Sequence, residues 1–158
     1  MKRIWILLLS MSCCIPFGCK RDAGRVNLHS FPDKTWSRFE KQTFHLNIVN
    51  TSFPYDMMLI LRHTEDYPFE NLYLHIIMQM PGGEERIMER NFMVKNPGGA
   101  FISPVNKEGC HEMIFSLYKE LHFADKGTCS VEIENLIPKT EITGIVELGI
   151  SLQPSPSP

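Results

Sequence analysis

The chain has 158 residues, 43% of them hydrophobic, which suits one packed domain and is too short for two. Its 16 basic and 18 acidic side chains give a net charge of −2, which excludes the basic face that nucleic acid requires. Five cysteines, three of them within the first nineteen residues, exclude a disulfide-built scaffold.

The chain opens with Lys2 and Arg3, an apolar stretch over 4–17, and then Gly18 and Cys19. A positive start, an apolar run too short to span a bilayer and a small residue at the break describe an export signal. The cysteine directly after Gly18 makes it look like a bacterial lipoprotein signal, with Cys19 lipidated and the new N-terminus. Acyl chains, at about 0.8 kcal/mol per buried methylene, then hold the domain on a membrane face outside the cytoplasm. Pro16 and Phe17 depart from the usual lipobox, Cys13 and Cys14 compete as acceptors, and a plain secreted protein cleaved nearby is the alternative. Removal of residues 1–18 leaves 140 residues at net charge −4, with no polybasic patch for lipid headgroups.

Residues 19–35 are polar with scattered apolars and read as a tether. Period-two alternation dominates the remainder of the chain. Phe44, Leu46 and Ile48 alternate with polar neighbours, as do Tyr55, Met57, Leu59 and Leu61. Leu72, Leu74, Ile76, Met78 and Met80 share one face of a third run, and Pro81-Gly82-Gly83 supplies turn chemistry. A charged returning strand over 84–94 precedes a Pro/Gly-rich loop over 95–109. Further strands fall at 112–121, 128–135 and 144–152. Asp125-Lys126-Gly127-Thr128-Cys129 is similar to the turn of a tyrosine corner, with Cys129 in the tyrosine position. Seven or eight short strands predict an all-β fold, an antiparallel β-sandwich (Ig-like or jelly-roll-like), as a single domain over 36–152. Residues 153–158, ending in alternating Pro and Ser, read as a disordered tail.

Catalytic chemistry is not found. Histidines at 29, 45, 63, 75, 111 and 122 show no HxH or HxxxH spacing, so no metal site is read. His45 and His75 read as surface residues, and the adjacent His111 and Glu112 point to opposite sides of a strand. No G-x-S-x-G occurs, and carboxylate pairs such as Glu132 and Glu134 read as solvated strand faces. No cofactor is implied. Cys110 and Cys129 are a possible disulfide if their strands pair, or buried free thiols if not.

The most individual segment is 61–74, which joins two strands through Arg62, Tyr67, Pro68, Phe69, Asn71 and Tyr73. Exposed aromatics there make a good protein or glycan contact, so Arg62, Tyr67, Phe69, Asn71 and Tyr73 are the candidate partner-binding residues. The alternative is that Tyr67 and Phe69 fold back over the sandwich end.

This segment, a strand ending Leu61-Arg62-His63-Thr64 followed by Tyr67-Pro68-Phe69 and Asn71-Leu72-Tyr73-Leu74, resembles the GldH-type gliding-motility lipoproteins of Bacteroidetes. So do Phe31 with Trp36 before the Phe44 strand, Phe123 with Gly127 and the Val131 to Glu134 strand, and Thr143-Gly144-Ile145-Val146-Glu147-Leu148-Gly149-Ile150. The likeness spans residues 19–152. Cys129 in place of tyrosine, Ile137-Pro138 in place of a Met-Arg pair, and a reduced central loop mark a divergent member. The resemblance implies a non-enzymatic lipoprotein supporting the envelope machinery of gliding and type IX secretion, with no catalytic residues to carry over. Its expected partners are other cell-envelope proteins, and its expected place is the outer membrane, lipid-anchored and facing the periplasm. A cell-envelope glycan-binding sandwich is the alternative, and it requires an exposed aromatic pair among Trp36, Tyr55, Tyr67 and Tyr73.

Overall fold

The computed structural model describes residues 25–156. The expected signal segment and Cys19 lie outside the described residues. Ten strands and no helix occur among those described: β1 (Arg25–Ser30), β2 (Thr35–Ser37), β3 (Gln42–Ile48), β4 (Tyr55–His63), β5 (Asn71–Gln79), β6 (Glu85–Met93), β7 (His111–Leu121), β8 (Gly127–Asn135), β9 (Glu141–Thr143) and β10 (Ile145–Pro154). All pairings are antiparallel. One sheet runs β1-β10-β4-β7 and the other β3-β8-β5-β6, with β2 and β9 forming a short ribbon.

Alternation builds the interface between the sheets. Phe44, Leu46 and Ile48 of β3, Cys129, Val131 and Ile133 of β8, and Leu72, Leu74, Ile76 and Met78 of β5 are all buried. They join Met57, Leu59 and Leu61 of β4, Met113 and Leu117 of β7, and Leu148, Ile150 and Leu152 of β10 in one core. Each fully buried aliphatic side chain contributes on the order of 1.5–3 kcal/mol, so this interface dominates stability. The expected sandwich is present.

Two expected boundaries are corrected. Residues 25–30, read as tether, form β1, which pairs with β10 from Arg25↔Leu152 to Ser30↔Glu147. Phe31 N–H then donates to the Val146 carbonyl at 2.9 Å, and Lys34 takes a left-handed φ of 53° to enter the ribbon. The strand escapes a pattern search because β1 inverts the usual pattern. Val26 and Leu28 face solvent while Asn27 and His29 face inward, where Asn27 Nδ2 donates to the His45 carbonyl. At the other end β10 extends through Pro154, and Ser155 N–H bonds the Pro54 carbonyl at 3.0 Å, so the expected tail begins later than residue 153.

The ribbon closes one end of the sandwich. Trp36 is fully buried, donates its indole N–H to the Glu40 carbonyl at 2.8 Å, and packs on Phe31 with ring centroids 5.6 Å apart.

Candidate functional site

The turn between β4 and β5 shapes the closed end, and its backbone is pinned from Gly144, the residue between β9 and β10. Thr64 N–H donates to the Gly144 carbonyl at 2.8 Å, and Tyr67 N–H donates to the Thr64 carbonyl at 3.2 Å. Gly144 sits at φ 81°, and a Cβ there would lie 2.5 Å from the Tyr67 nitrogen. Only glycine permits both the backbone conformation and this approach. Two of the stretches that carry the resemblance, around Tyr67 and around Gly144, therefore meet in space.

That packing buries Tyr67 completely. Its hydroxyl donates to the Asn71 carbonyl at 2.9 Å, its ring packs edge-on against Phe69 at 5.8 Å, and burial raises its pKa. Tyr67 is a core residue, and its expected role as a direct partner contact is corrected. Arg62 is also committed elsewhere. On the outer face of the β10-β4-β7 sheet it bridges Glu112 and Glu147 at 2.6 Å each, carboxylates in register with it on the two flanking strands.

The remaining three residues come together. Phe69, Asn71 and Tyr73 line an open groove of about 380 Å³ with Pro68, Ile137 and Pro138. One wall is the turn pinned by Tyr67. The opposite wall, 136–138, is tied to β5 by Leu136 N–H donating to the Tyr73 carbonyl at 2.8 Å. Tyr73 remains 45% exposed. Parity explains it, since Leu72 and Leu74 point into the core and Tyr73 points out. Beyond the groove the same outer face carries exposed Met93, paired with Asn71, and exposed Ile87, paired with Ile77. Sequence reasoning missed Ile137, Pro138 and Met93 as neighbours of Tyr73. The outward parity of Met93 and Ile87 was readable along the 84–94 run; the β5–β6 register sets Met93 diagonally beside Tyr73 and Ile87 four residues farther along, opposite Ile77.

The two cysteines do not meet. Cys129 is fully buried opposite Leu46 in one sheet, whereas Cys110 precedes His111, which pairs with His63 in the other sheet. Cys129 lies two residues from Gly127, which packs on Pro81 at the end marked by Phe123 and Tyr55, whereas Cys110 lies at the opposite, His63 end of the nine-residue β4. Both are free thiols, and the possible disulfide is corrected.

A pair of histidines escaped the spacing search. His63 and His111 face each other across β4 and β7, with rings stacked at 4.9 Å and both residues buried. Their Nδ1 atoms contact the Thr64 and Ser103 carbonyls at 3.0 and 2.5 Å. A carbonyl only accepts, so each Nδ1–H donates, and neither Nε2 has a hydrogen-bond partner. Phe101 packs on both rings at 4.8 and 4.4 Å, which fixes the 95–110 loop to the sandwich. Burial lowers the His63 pKa, helped by His111 and Lys95. Parallel rings do not converge on one ion, and no cluster of three or more metal-ligating side chains exists among the described residues. The carboxylates Glu132 and Glu134 bracket Lys41 at 2.7 Å each, which accounts for them as an ion-paired strand face.

The aromatic pair that glycan capture requires does not form. Trp36, Tyr55 and Tyr67 are buried, leaving Tyr73 alone exposed.

With this geometry in place, a family profile described as GldH lipoprotein matches residues 25–152. The gliding motility lipoprotein GldH of Flavobacterium johnsoniae is 24% identical over 155 residues, covering 92% of this chain and 94% of its own. Among solved structures, a 4-O-methyl-α-glucuronidase with specificity for decorated arabinogalactans aligns over 77% of this chain and 14% of its own, at 15% identity and a TM-score of 0.42. A structure of infectious bursal disease virus aligns at a TM-score of 0.35 and 15% identity, over 93% of this chain and 36% of its own. Likenesses this distant say nothing about activity. The chain belongs to the GldH lipoprotein family.

Proposed function

Taking membership of that family as the premise, we propose that this chain is a non-enzymatic accessory lipoprotein of an envelope assembly linked to gliding motility and type IX secretion. Cys19 carries the lipid, the outer membrane holds it, and the domain faces the periplasm. It acts by binding other envelope proteins through the groove at Phe69, Asn71 and Tyr73 and its continuation over Met93.

One observation carries this reading. The described surface offers an exposed tyrosine in an apolar groove between two backbone walls that the core holds in place. A tyrosine so placed brings contact area with little entropy to lose, which is how protein interfaces concentrate their binding energy. A polysaccharide surface is less well served, since a flat sugar face is gripped by paired exposed rings and only Tyr73 is exposed of the four candidates.

The test is affinity purification of tagged, lipidated protein from gently solubilised envelopes, comparing wild type with Tyr73→Ala and Met93→Ala. Motility or secretion components captured by wild type and lost from the variants support the reading. Equal capture by all three proteins places the contact elsewhere. Recovery with polysaccharide-uptake components transfers the assignment to glycan binding.

A further inference from the structure

Both ends of the described chain emerge at the same end of the sandwich. Arg25 opens β1 opposite Leu152, and Pro154 closes β10 opposite Tyr55. The 49–54 loop lies beside them, carrying Val49, which is 46% exposed, and the half-buried ring of Phe53, packed on Tyr55 at 5.0 Å. Arg25 donates to the Asn47 carbonyl at the end of β3 at 2.9 Å and lines one small pocket with Val49 and Phe53 of this loop. An exposed valine, an aromatic ring and a cation thus share one tip. The groove of Tyr73 opens at the other end of β5, nine residues or about 26 Å away.

Only residues 20–24 separate Cys19 from β1. Even fully extended, the six steps from Cys19 to Arg25 reach about 21 Å. This is shorter than the nine-residue strands β4 and β5, about 26 Å, so the anchor does not reach the groove end. We infer that the domain stands end-on to the membrane, with Arg25, Val49 and Phe53 against the lipid headgroups and the Tyr73 groove at the far end. The inference rests on the reading that Cys19 carries the lipid. The bilayer is the occupant the tip fits. Aromatic and aliphatic side chains settle at the headgroup boundary, and Arg25 adds a single cation beside them, so the contact is carried by the rings and aliphatics and not by a basic patch. The partner then meets the groove on the side away from the membrane.

The experiment uses the lipidated protein in vesicles of phosphatidylethanolamine and phosphatidylglycerol. Nitroxides are placed at Ser52→Cys on the tip loop, Ser116→Cys on the outer face of β7, and Lys139→Cys beside the groove, all exposed positions, in a Cys110→Ser background. Buried Cys129 stays unlabelled. On adding vesicles, the Ser52 label should become at least about threefold less accessible to a water-soluble nickel chelate, with the other two unchanged. Protection of the Ser116 label instead means that the domain lies on its sheet face, which overturns the inference. Floating protein with all three labels in water overturns the orientation alone. Protein that does not float with the vesicles overturns the Cys19 anchor, and the orientation with it.

Discussion

Replacing Gly144 with alanine tests the contact on which the groove depends. At φ 81° the added Cβ costs about 1–2 kcal/mol wherever it points. Here it also falls 2.5 Å from the Tyr67 nitrogen and 2.9 Å from the Asp66 carbonyl carbon and the Tyr67 Cα. These are backbone atoms, so relief requires moving the turn. Moving it stretches the Thr64–Gly144 hydrogen bond and the buried Tyr67 hydroxyl bond to Asn71, each worth about 1 kcal/mol. Loss of close packing around the Tyr67 ring adds to this, for a total of roughly 3–5 kcal/mol. Gly99→Ala is the control, because Gly99 has φ 82° with nothing within 4 Å of an added Cβ. It should cost only the conformational part, about 1–2 kcal/mol. Urea unfolding followed by Trp36 fluorescence measures both. If Gly144→Ala and Gly99→Ala agree within about 0.5 kcal/mol, the close approach to Tyr67 has no energetic weight and the argument for the groove wall collapses.

Two further outcomes stem from buried groups. Because burial holds the folded His63 pKa below its ordinary value near 6.5, the unfolded chain binds the extra proton. The contribution is complete above about pH 6.5 and is lost as pH falls toward the folded pKa, with a slope of up to about 1.4 kcal/mol per unit. Unfolding curves at stepped pH should show this loss, and His63→Phe should flatten it; an equal slope in the variant would place the acid sensitivity on other groups. The Cys129 thiol, pushed up to about 11 by burial, should react with a thiol reagent only after unfolding, while half-exposed Cys110 reacts in the native protein. Intact mass and a native thiol count decide this, and an oxidised mass about two daltons low would show a bridge despite the geometry.

The sandwich was legible because alternation is a local property. Leu72, Leu74, Ile76 and Met78 declare their face whatever they pack against, and the same parity sends Tyr73 outward. Pro81-Gly82-Gly83 likewise announced a turn that joins β5 to β6. β1 was illegible because an edge strand is held by its backbone ladder to β10, which leaves no hydrophobic trace when the apolar side chains point to solvent. The expected export signal and the candidate acceptor Cys19 rest on a contiguous stretch outside the described residues and remain expectations read from it alone.

Which side chains meet is another matter, since it depends on register and strand order between segments far apart in the chain. Tyr67 and Tyr73 stand six residues apart, yet one is core and one is surface, because Gly144, seventy-seven positions after Tyr67, lets β10 come close enough to draw the turn inward. Register alone stacked His63 on His111 and set Cys110 and Cys129 at opposite ends. Periodicity decided the fold class, and resemblance in contiguous motifs pointed to the family, as local signals do. The groove, the histidine pair and the buried tyrosine were decided by long-range strand pairing, whose energy lies in contacts that no local stretch of sequence contains.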